Sequence, residues 1–543
     1  MTPPAVTIEL VLALLFALAV IAAIARWSAV PAPLAMIAGG VALSFVPGLE
    51  RVHLDPAVFF LLFVPPLLYA DGWLMPRREF VDVMRPVLLL AFGLVLATVV
   101  AVGYAMHALI PALPLVAAFA LGAIVSPTDA VATASMTARL PLPGRVTHIL
   151  NGESLINDAS GLVAFKFAVA AAATGAFSLA AAGVELAWVA IGGVVAGLAC
   201  AWAIGMVRVG LKRVCVDDPT IQTVLSLLSP FAAYLAAEHI GVSGILAIVA
   251  AGIYGGWHDA RTLSPATRRH AWEVWAMVLF VFNGMVFLLL GVTLRPAIES
   301  LVRVESPSTL AGYAIALWVV VTLVRIAWVY PGTYLPVLLS RRVREREPPR
   351  DPRAVLLVGW AGLRGSVTMA AALSLPVATA AGAPFPGRDM VIFLAATTIV
   401  LTLLVNGLTL PVLVRALALR ADGRAEREHR AAEIALAQAA ALALEREAAT
   451  LARGDEAAEA RKLVAEYATR AARHTANADR RVELDRIAAS RRRLLAIALD
   501  AERRELSSML DAGLINDETH RAIEARIDHA EMLASEAPRA QPG

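Results

Sequence analysis

Charge is what this chain has least of. Only 17% of its 543 residues are Asp, Glu, Lys or Arg, while 59% are apolar and the mean hydropathy is +0.70. An ordinary soluble domain carries about 25% charged residues, so a water-soluble globule is excluded and a polytopic membrane protein is left. Cysteine is nearly absent as well. Cys200 lies in an apolar run and Cys215 in a basic loop, which rules out a disulfide framework or a metal-ligand spacing and leaves no cofactor chemistry indicated. No Lys or Arg precedes the first apolar run, whose start MTPPAVTIEL carries Glu9 instead. A cleaved leader with a basic start is therefore not expected, and the run reads as a first span. Arginine greatly outnumbers lysine and alanine is abundant, a bias of GC-rich bacterial genomes.

The charge that is present is unevenly placed. Residues 1–419 are nearly all apolar and read as a membrane domain, whereas 420–543 hold much of the Arg, Glu and Asp and read as a cytoplasmic helical region. In the first part, apolar runs of span length recur about thirteen times. They lie at roughly 5–25, 28–47, 56–75, 86–110, 112–137, 149–173, 184–207, 220–240, 242–257, 272–294, 309–339, 354–381 and 389–419. Alternate connections are basic. One set holds Arg26, Arg77, Arg78, Arg85, Arg139, Arg145, Arg208, Lys212, Arg213, Arg261, Arg268, Arg269 and the cluster from Arg341 to Arg353. The other holds only Arg51, Arg295, Arg303 and Arg388. Basic connections stay on the cytoplasmic side, so the amino terminus is expected outside and the carboxyl terminus inside. The small net charge of +3 then reflects topology, not nucleic-acid binding.

Against this apolar background, GESLINDASGLV at 152–163 stands out because it puts Glu153, Asn157 and Asp158 inside a span. An ionisable group at that depth is costly unless it faces protein, water or an ion, so it marks a functional site; the alternative is a polar network that only joins helices. GAIVSPTDAVA at 122–132 adds Asp129 beside the helix-breaking Pro127. Asp129 and Asp158 flank one cytoplasmic turn at similar distances, which places both about 14 Å into the bilayer at 1.5 Å per residue. Interrupted spans with acids at mid-depth are where secondary transporters hold ions. Oxygen donors for a hard monovalent cation are Asp158, Asp129, the Ser154 hydroxyl and the carbonyl or hydroxyl of Thr128. Ser154 and Asp158 share one helix face, and Glu153 and Asn157 the adjacent one, so one face can coordinate while the other braces the helix.

Glu153 requires a counter-charge, which Arg325 or Arg364 can supply; Arg325 could instead reach out to the interface. Gly359, Gly362 and Gly365 around Arg364, with Pro376 beyond, predict a second interrupted span. Spans five and twelve are an odd number apart, the arrangement of an inverted repeat with 1–6 matching 8–13. Other polar residues say less. Lys166 is too far along its helix to reach the ion, Asp71 suits an interfacial role as well as a functional one, and Asn283 is a packing candidate. Glu238 and His239 end span eight. In the tail, Leu494, Leu495, Ile497, Leu499, Leu506, Met509, Leu510 and Leu514 are helically spaced, with Gly454, Gly513 and Asn516 as punctuation and EAPRAQPG as a disordered end.

These stretches, together with FVPPLLYADGW, GVSGILAIVAAGI, FNGMVFLLLG and GWAGLRGSVTMAAALSLP, resemble the NhaP-like bacterial sodium/proton antiporters, relatives of the animal exchangers within the monovalent cation:proton antiporter superfamily. The resemblance implies an all-α membrane fold with two interrupted crossing helices, and a homodimer in the inner membrane serving pH regulation. Spans one to three and eight to ten would form its dimerisation part, beside a mobile six-helix core. It implies that Asp158 carries cation and proton, helped by Asp129, Ser154 and Thr128, with Glu153, Asn157, Arg325, Arg364 and Pro127 as the supporting network. The Asn157-Asp158 pair is similar to the electroneutral type of this superfamily. Ala130 departs from the proline that many members carry there.

The expected function is exchange of Na⁺ or Li⁺ for H⁺ by competition for one carboxylate, with no cofactor beyond the transported ions and with membrane lipid as surroundings. A site empty of both ions would expose bare charge to the low-dielectric barrier, so coupling is one for one. Potassium/proton exchange is the alternative. An intramembrane aspartyl protease is remote because no Gly-x-Gly-Asp motif is present, and in a channel a buried titratable acid would hinder flow.

Overall fold

Asp-Pro and Ser-Pro dipeptides start four helices in the second half of the membrane unit. Asp218, Ser264, Ser306 and Asp351 each cap a helix through a side-chain oxygen, and the proline that follows fills a first-turn position where no backbone donor is needed. The computed structural model describes residues 4–28, 30–46, 56–137, 140–174, 179–214, 218–346, 351–378, 384–450, 455–475, 478–512 and 514–535. Within them the chain is all helical and divides into two compact units, Met1–Ala421 and Asp422–Gly543. Arg51, Arg139, Cys215, Gly454, Gly513 and the terminal EAPRAQPG lie outside the described residues.

The first unit opens with α1 (Pro4–Ser28), α2 (Ala32–Leu43) and α3 (Pro56–Leu74). α4 (Arg77–Leu88) continues through a π-helical segment, Leu89–Leu94, into α5 (Val95–Leu109). A bent pair, α6 (Leu115–Val125) and α7 (Ala130–Thr137), precedes α8 (Gly144–Thr174), α9 (Leu179–Arg213), α10 (Pro219–His239), α11 (Gly244–Thr262) and α12 (Pro265–Leu301). α13 (Pro307–Leu339) and the short α14 (Arg341–Arg346) lead to a second broken pair, α15 (Pro352–Trp360) and α16 (Ser366–Leu373). α17 (Arg388–Leu401) passes through another π-helical segment, Thr402–Gly407, into α18 (Leu408–Ala416).

Among the described residues, eight helices are long and apolar enough to cross a membrane, or nine if α6 and α7, bent by 44°, count as one. The chain is an integral multi-pass membrane protein. α8 is not one of the eight, because the polar residues that mark it also lower its hydropathy. The apolar run expected at 28–47 needs correction. Its helix has only 12 residues, about 18 Å at 1.5 Å per residue, because Pro31 starts it late and the Ser44 hydroxyl folds back onto the Val41 carbonyl at 2.6 Å. α2 compensates by packing tightly on α12, where a side chain on Gly40 or Gly291 would strike the partner backbone.

α8 holds the centre of the unit, touching α3, α4, α5, α6, α7, α11, α15 and α16. The polar residues of its central turns, Glu153, Ser154, Asn157 and Asp158, are therefore enclosed by protein, whereas Lys166 further along is exposed.

The second unit consists of α19 (Arg424–Thr450), α20 (Asp455–Thr475), α21 (Ala478–Asp511) and α22 (Asp517–Ser535). Asn516 starts α22 by accepting the Thr519 N–H at 2.8 Å, as its position in the pattern suggests. Exposed ion pairs join the helices, Arg470 to Glu433 at 2.9 Å and Arg503 to Asp528 at 2.6 Å. Leu499, Leu506 and Ile527 form a small core of their own.

Candidate functional site

Two helix breaks meet beside α8. Residues 126–129 separate α6 from α7, and residues 361–365 separate α15 from α16. The breaks are bonded to each other through the Asp129 N–H, which donates to the Leu363 carbonyl at 2.8 Å. Each break leaves one positive helix start and one negative helix end without helical partners, two of each at the crossing, and side chains must satisfy them. Asp129 serves both starts. Its Oδ1 accepts the Ala132 N–H of α7 at 2.8 Å and its Oδ2 the Ser366 N–H of α16 at 2.9 Å. Arg364 serves both ends, since its Nε donates to the Val125 carbonyl at 2.9 Å and its Nη1 to the Gly362 carbonyl. One anion thus sits on two helix N-termini and one cation on two C-termini. The crossing is so close that a Cβ on Gly365 would overlap the Asp129 carboxylate, which is why glycine stands there.

Of the two arginines proposed as partner for Glu153, Arg325 fills that role and Arg364 does not. Arg325 meets both Glu153 oxygens, with Nη2 at 2.8 Å from Oε2, and also donates to the Val358 carbonyl at 3.0 and 3.1 Å. At 0% and 1% exposure, Glu153 and Arg325 are fully enclosed, so the interfacial alternative for Arg325 is excluded. Arg364 takes the crossing carbonyls because the orphaned ends are nearer to it than any acid's oxygen. Asn157 Nδ2 donates to the Thr128 hydroxyl at 2.8 Å, and that hydroxyl lies 3.4 Å from Glu153 Oε1. Glu153, Asn157, Thr128 and Arg325 therefore form one polar chain that ties α8 to the first break and to α13. Pro127 sits within the break, and its ring would collide with any side chain at Gly161 of α8.

The other face of α8 is less committed. Ser154 Oγ accepts the Ala130 N–H at 3.0 Å, a bond that proline at position 130 could not make. Asp158 is 3% exposed, and among the described residues no hydrogen bond reaches its carboxylate. Asp71, Asp129 and Glu153 are all within electrostatic reach of it. Asp71, which the sequence suits to an interfacial role as well as a functional one, also stands near this carboxylate. It lies on α3, half-buried, and feels the charges of both other aspartates. α3 is locked in place by a network that the sequence pattern concealed: Asp259 of α11 accepts from Trp73 Nε1 at 3.2 Å and from Arg208 Nη1 at 2.7 Å, while Arg208 Nε donates to Gln222 at 2.9 Å. In the sequence Arg208 reads as a loop charge, and no spacing within α9 or α11 ties it to Asp259. Lys166 is remote from this cluster and pairs with Glu238 at 2.5 Å.

No group of three or more His, Cys, Asp or Glu spaced to hold a metal ion occurs among the described residues. What the geometry offers is a buried carboxylate on the same helix face as the Ser154 hydroxyl, next to a broken helix, a set of oxygen groups. Hard monovalent cations and protons are what such a set can bind.

Comparison with known proteins agrees with this chemistry. The family described as "Sodium/hydrogen exchanger, transmembrane" matches residues 10–416. The Escherichia coli (strain K12) protein named "Uncharacterized Na(+)/H(+) exchanger YjcE" is 38% identical over 523 residues, 93% of this chain and 94% of that protein. A Bacillus subtilis (strain 168) "Sodium, potassium, lithium and rubidium/H(+) antiporter" is 41% identical over 389 residues, 71% of this chain and 58% of its own length. The solved sodium proton antiporter MjNhaP1 from Methanocaldococcus jannaschii shares the fold with a TM-score of 0.58 at 18% identity, over 76% of this chain and 98% of that one. The family is one of cation/proton transporters and not of enzymes, and with its match over most of the membrane unit, this chain belongs to the transmembrane sodium/hydrogen exchanger family.

Proposed function

We propose that this protein exchanges Na⁺ or Li⁺ for H⁺, one for one, by alternating access at Asp158. The observation that carries the proposal is the contrast around that residue. Glu153, Arg325, Asp129, Arg364 and the Asn157 amide nitrogen are each spent on a helix end or a partner, while the buried Asp158 carboxylate accepts nothing among the described residues. A buried carboxylate without donors is stable only when protonated or paired with a cation, and exchange of one for the other is the chemistry of antiport. Ser154, the Thr128 carbonyl and the second lone pairs of the Asp129 oxygens complete an oxygen shell, with Asp71 facing it from α3. Asn157 contributes no charge, so a single uncommitted carboxylate on α8 favours electroneutral exchange. The proposed setting is a homodimer in the bacterial plasma membrane, amino terminus outside and the second unit in the cytoplasm.

A broader selectivity has one supporting observation, the sodium, potassium, lithium and rubidium named for the Bacillus subtilis relative. Everted vesicles or proteoliposomes with a lumenal pH dye separate the possibilities. Addition of Na⁺ or Li⁺ should restore dye fluorescence and Asp158→Asn should abolish the response while the purified protein remains monodisperse. Wild-type exchange by Asp158→Asn would overturn the site, and a response to potassium alone would overturn the preferred substrate.

A further inference from the structure

Past Asp158, α8 continues for two turns to Lys166, about 12 Å further along at 1.5 Å per residue. Those turns are sealed. Leu162, Val163 and Phe165 are buried, and the Pro127 ring lies against Gly161. Lys166 itself is exposed, and its Nζ reaches across to α10, where it meets Glu238 Oε1 at 2.5 Å and stands 5.7 Å from the centre of the Tyr234 ring. Among the described residues, α10 is not one of the helices that α8 packs on closely, so the lysine bridges two helices that the backbone packing leaves apart. The receiving side is fixed independently of the lysine. Glu238 Oε1 also accepts the Gly244 N–H that begins α11, at 3.3 Å, and Tyr234 lies so near Gly244 that a Cβ there would strike its ring. The ring of Phe60 on α3 stands 6.3 Å from that of Tyr234. Carboxylate and ring are thus held by α3, α10 and α11, a rigid socket for a flexible cation. A lysine serving only as a surface charge would extend toward water; this one turns into the socket.

We propose that Lys166 is a latch: docked on Glu238 and Tyr234, it holds the far end of α8 against α10 and α11 and keeps Asp158 closed to that side of the membrane. Leu162 stands between Asp158 and Lys166, four residues from each on one side of α8. Opening that side uncovers Leu162, and α8 cannot draw away from α10 beyond the reach of the lysine while the pair persists. Both partners stay partly exposed, at 41% and 36%, so the bond is weak enough to break in every cycle. A pair of this kind shifts an equilibrium by about two- to fivefold. The role in exchange rests on the alternating access proposed above, whereas the docking does not.

Cysteine labelling reads the latch without transport. The full-length protein in lipid nanodiscs, carrying Cys200→Ser, Cys215→Ser and Leu162→Cys, should react slowly with a membrane-impermeant thiol reagent. Lys166→Met keeps the apolar stem and removes the charge, and should raise the labelling rate about two- to fivefold. Glu238→Gln should raise it similarly, the two together no further than either alone, and Lys166→Arg should keep the slow rate. An unchanged rate in Lys166→Met, or rises that multiply in the double variant, would overturn the latch. Val286→Cys, a reporter at a buried position of α12, should stay unreactive throughout; a parallel rise there would mean general loosening and would overturn it as well. The labelling needs no ion movement, so it decides the latch whether or not Asp158→Asn abolishes exchange.

Discussion

Asp129 and Asp158 are both buried aspartates within electrostatic reach of one another, yet one is fully occupied and the other is idle. Asp129 takes a backbone N–H on each oxygen and so closes two helix starts. Asp158, on an unbroken helix whose own backbone needs nothing from it, accepts no hydrogen bond. The difference teaches which carboxylate the fold depends on and which one, on the proposed function, is left for cargo. A charge that satisfies helix ends cannot be released without breaking the crossing, whereas a charge with no protein partner can change occupant freely. The same division separates the faces of α8, with Glu153 and Asn157 bonded and Asp158 unbonded.

The largest effect should come from breaking the committed face. Arg325→Met leaves Glu153 buried beside no cation, which costs about 3–5 kcal/mol when one partner of an enclosed pair is removed. The expected outcome is loss of monodisperse protein on size-exclusion chromatography. Adding Glu153→Gln to that variant removes the stranded charge and should recover most of the folded yield. If the single variant behaves like wild type, the bonded face is not what holds α8 in place.

Asp129→Asn and Asp158→Asn then test the comparison itself. An amide at 129 keeps one acceptor and turns the other oxygen into a donor facing an N–H, an unmet buried group worth about 1–3 kcal/mol. Thermal unfolding should be visibly earlier, with exchange reduced but measurable. At 158 the same change removes no hydrogen bond, so unfolding should be unaltered or later while exchange disappears. Equal thermal shifts for the two variants would erase the distinction.

A smaller effect sharpens the open face. Ala130 is the first residue of α7, where proline is tolerated, and its N–H is the donor to Ser154. Ala130→Pro should leave folding intact and free the Ser154 oxygen, strengthening apparent cation affinity by about two- to tenfold, the worth of one hydrogen bond. Concentration dependence of exchange in proteoliposomes reads this as a lower KM at unchanged maximal rate. A raised KM would mean that the Ala130 bond orients Ser154 for the ion.

What the sequence made legible follows from cost. Polar residues are rare between 1 and 419, so those at Glu153, Asn157, Asp158 and Asp129 were conspicuous, and Pro127 and the glycines around Arg364 marked both breaks. Pairing was not legible. Whether Arg325 or Arg364 meets Glu153 depends on where the second break crosses the first, which no spacing within one helix encodes. The placement of Asp71 was not legible for a similar reason: it depends on the rotation of α3, set by Trp73, Asp259 and Arg208 from three different helices. The shortness of α2 was hidden because apolar composition continues past the point where Ser44 closes the helix.

The smallest expected effect belongs to an exposed counterpart of Asp129. Asp218 also caps a helix, accepting the N–H groups of Ile221 and Thr220 at 3.0 and 2.7 Å, and these bonds hold its carboxyl below the usual carboxylate range. Because the folded value is depressed, its stabilisation is present above the ordinary aspartate pKa and is lost as pH falls through the folded one. Asp218→Ala should therefore lower the unfolding temperature slightly at neutral pH, and wild type and variant should converge in acid. Water can replace the cap at this surface, whereas at Asp129 no water-facing alternative exists for the helix starts. Exchange should be untouched. If Asp218→Ala instead destabilises as much as Asp129→Asn, burial is not what makes the cap at the crossing indispensable.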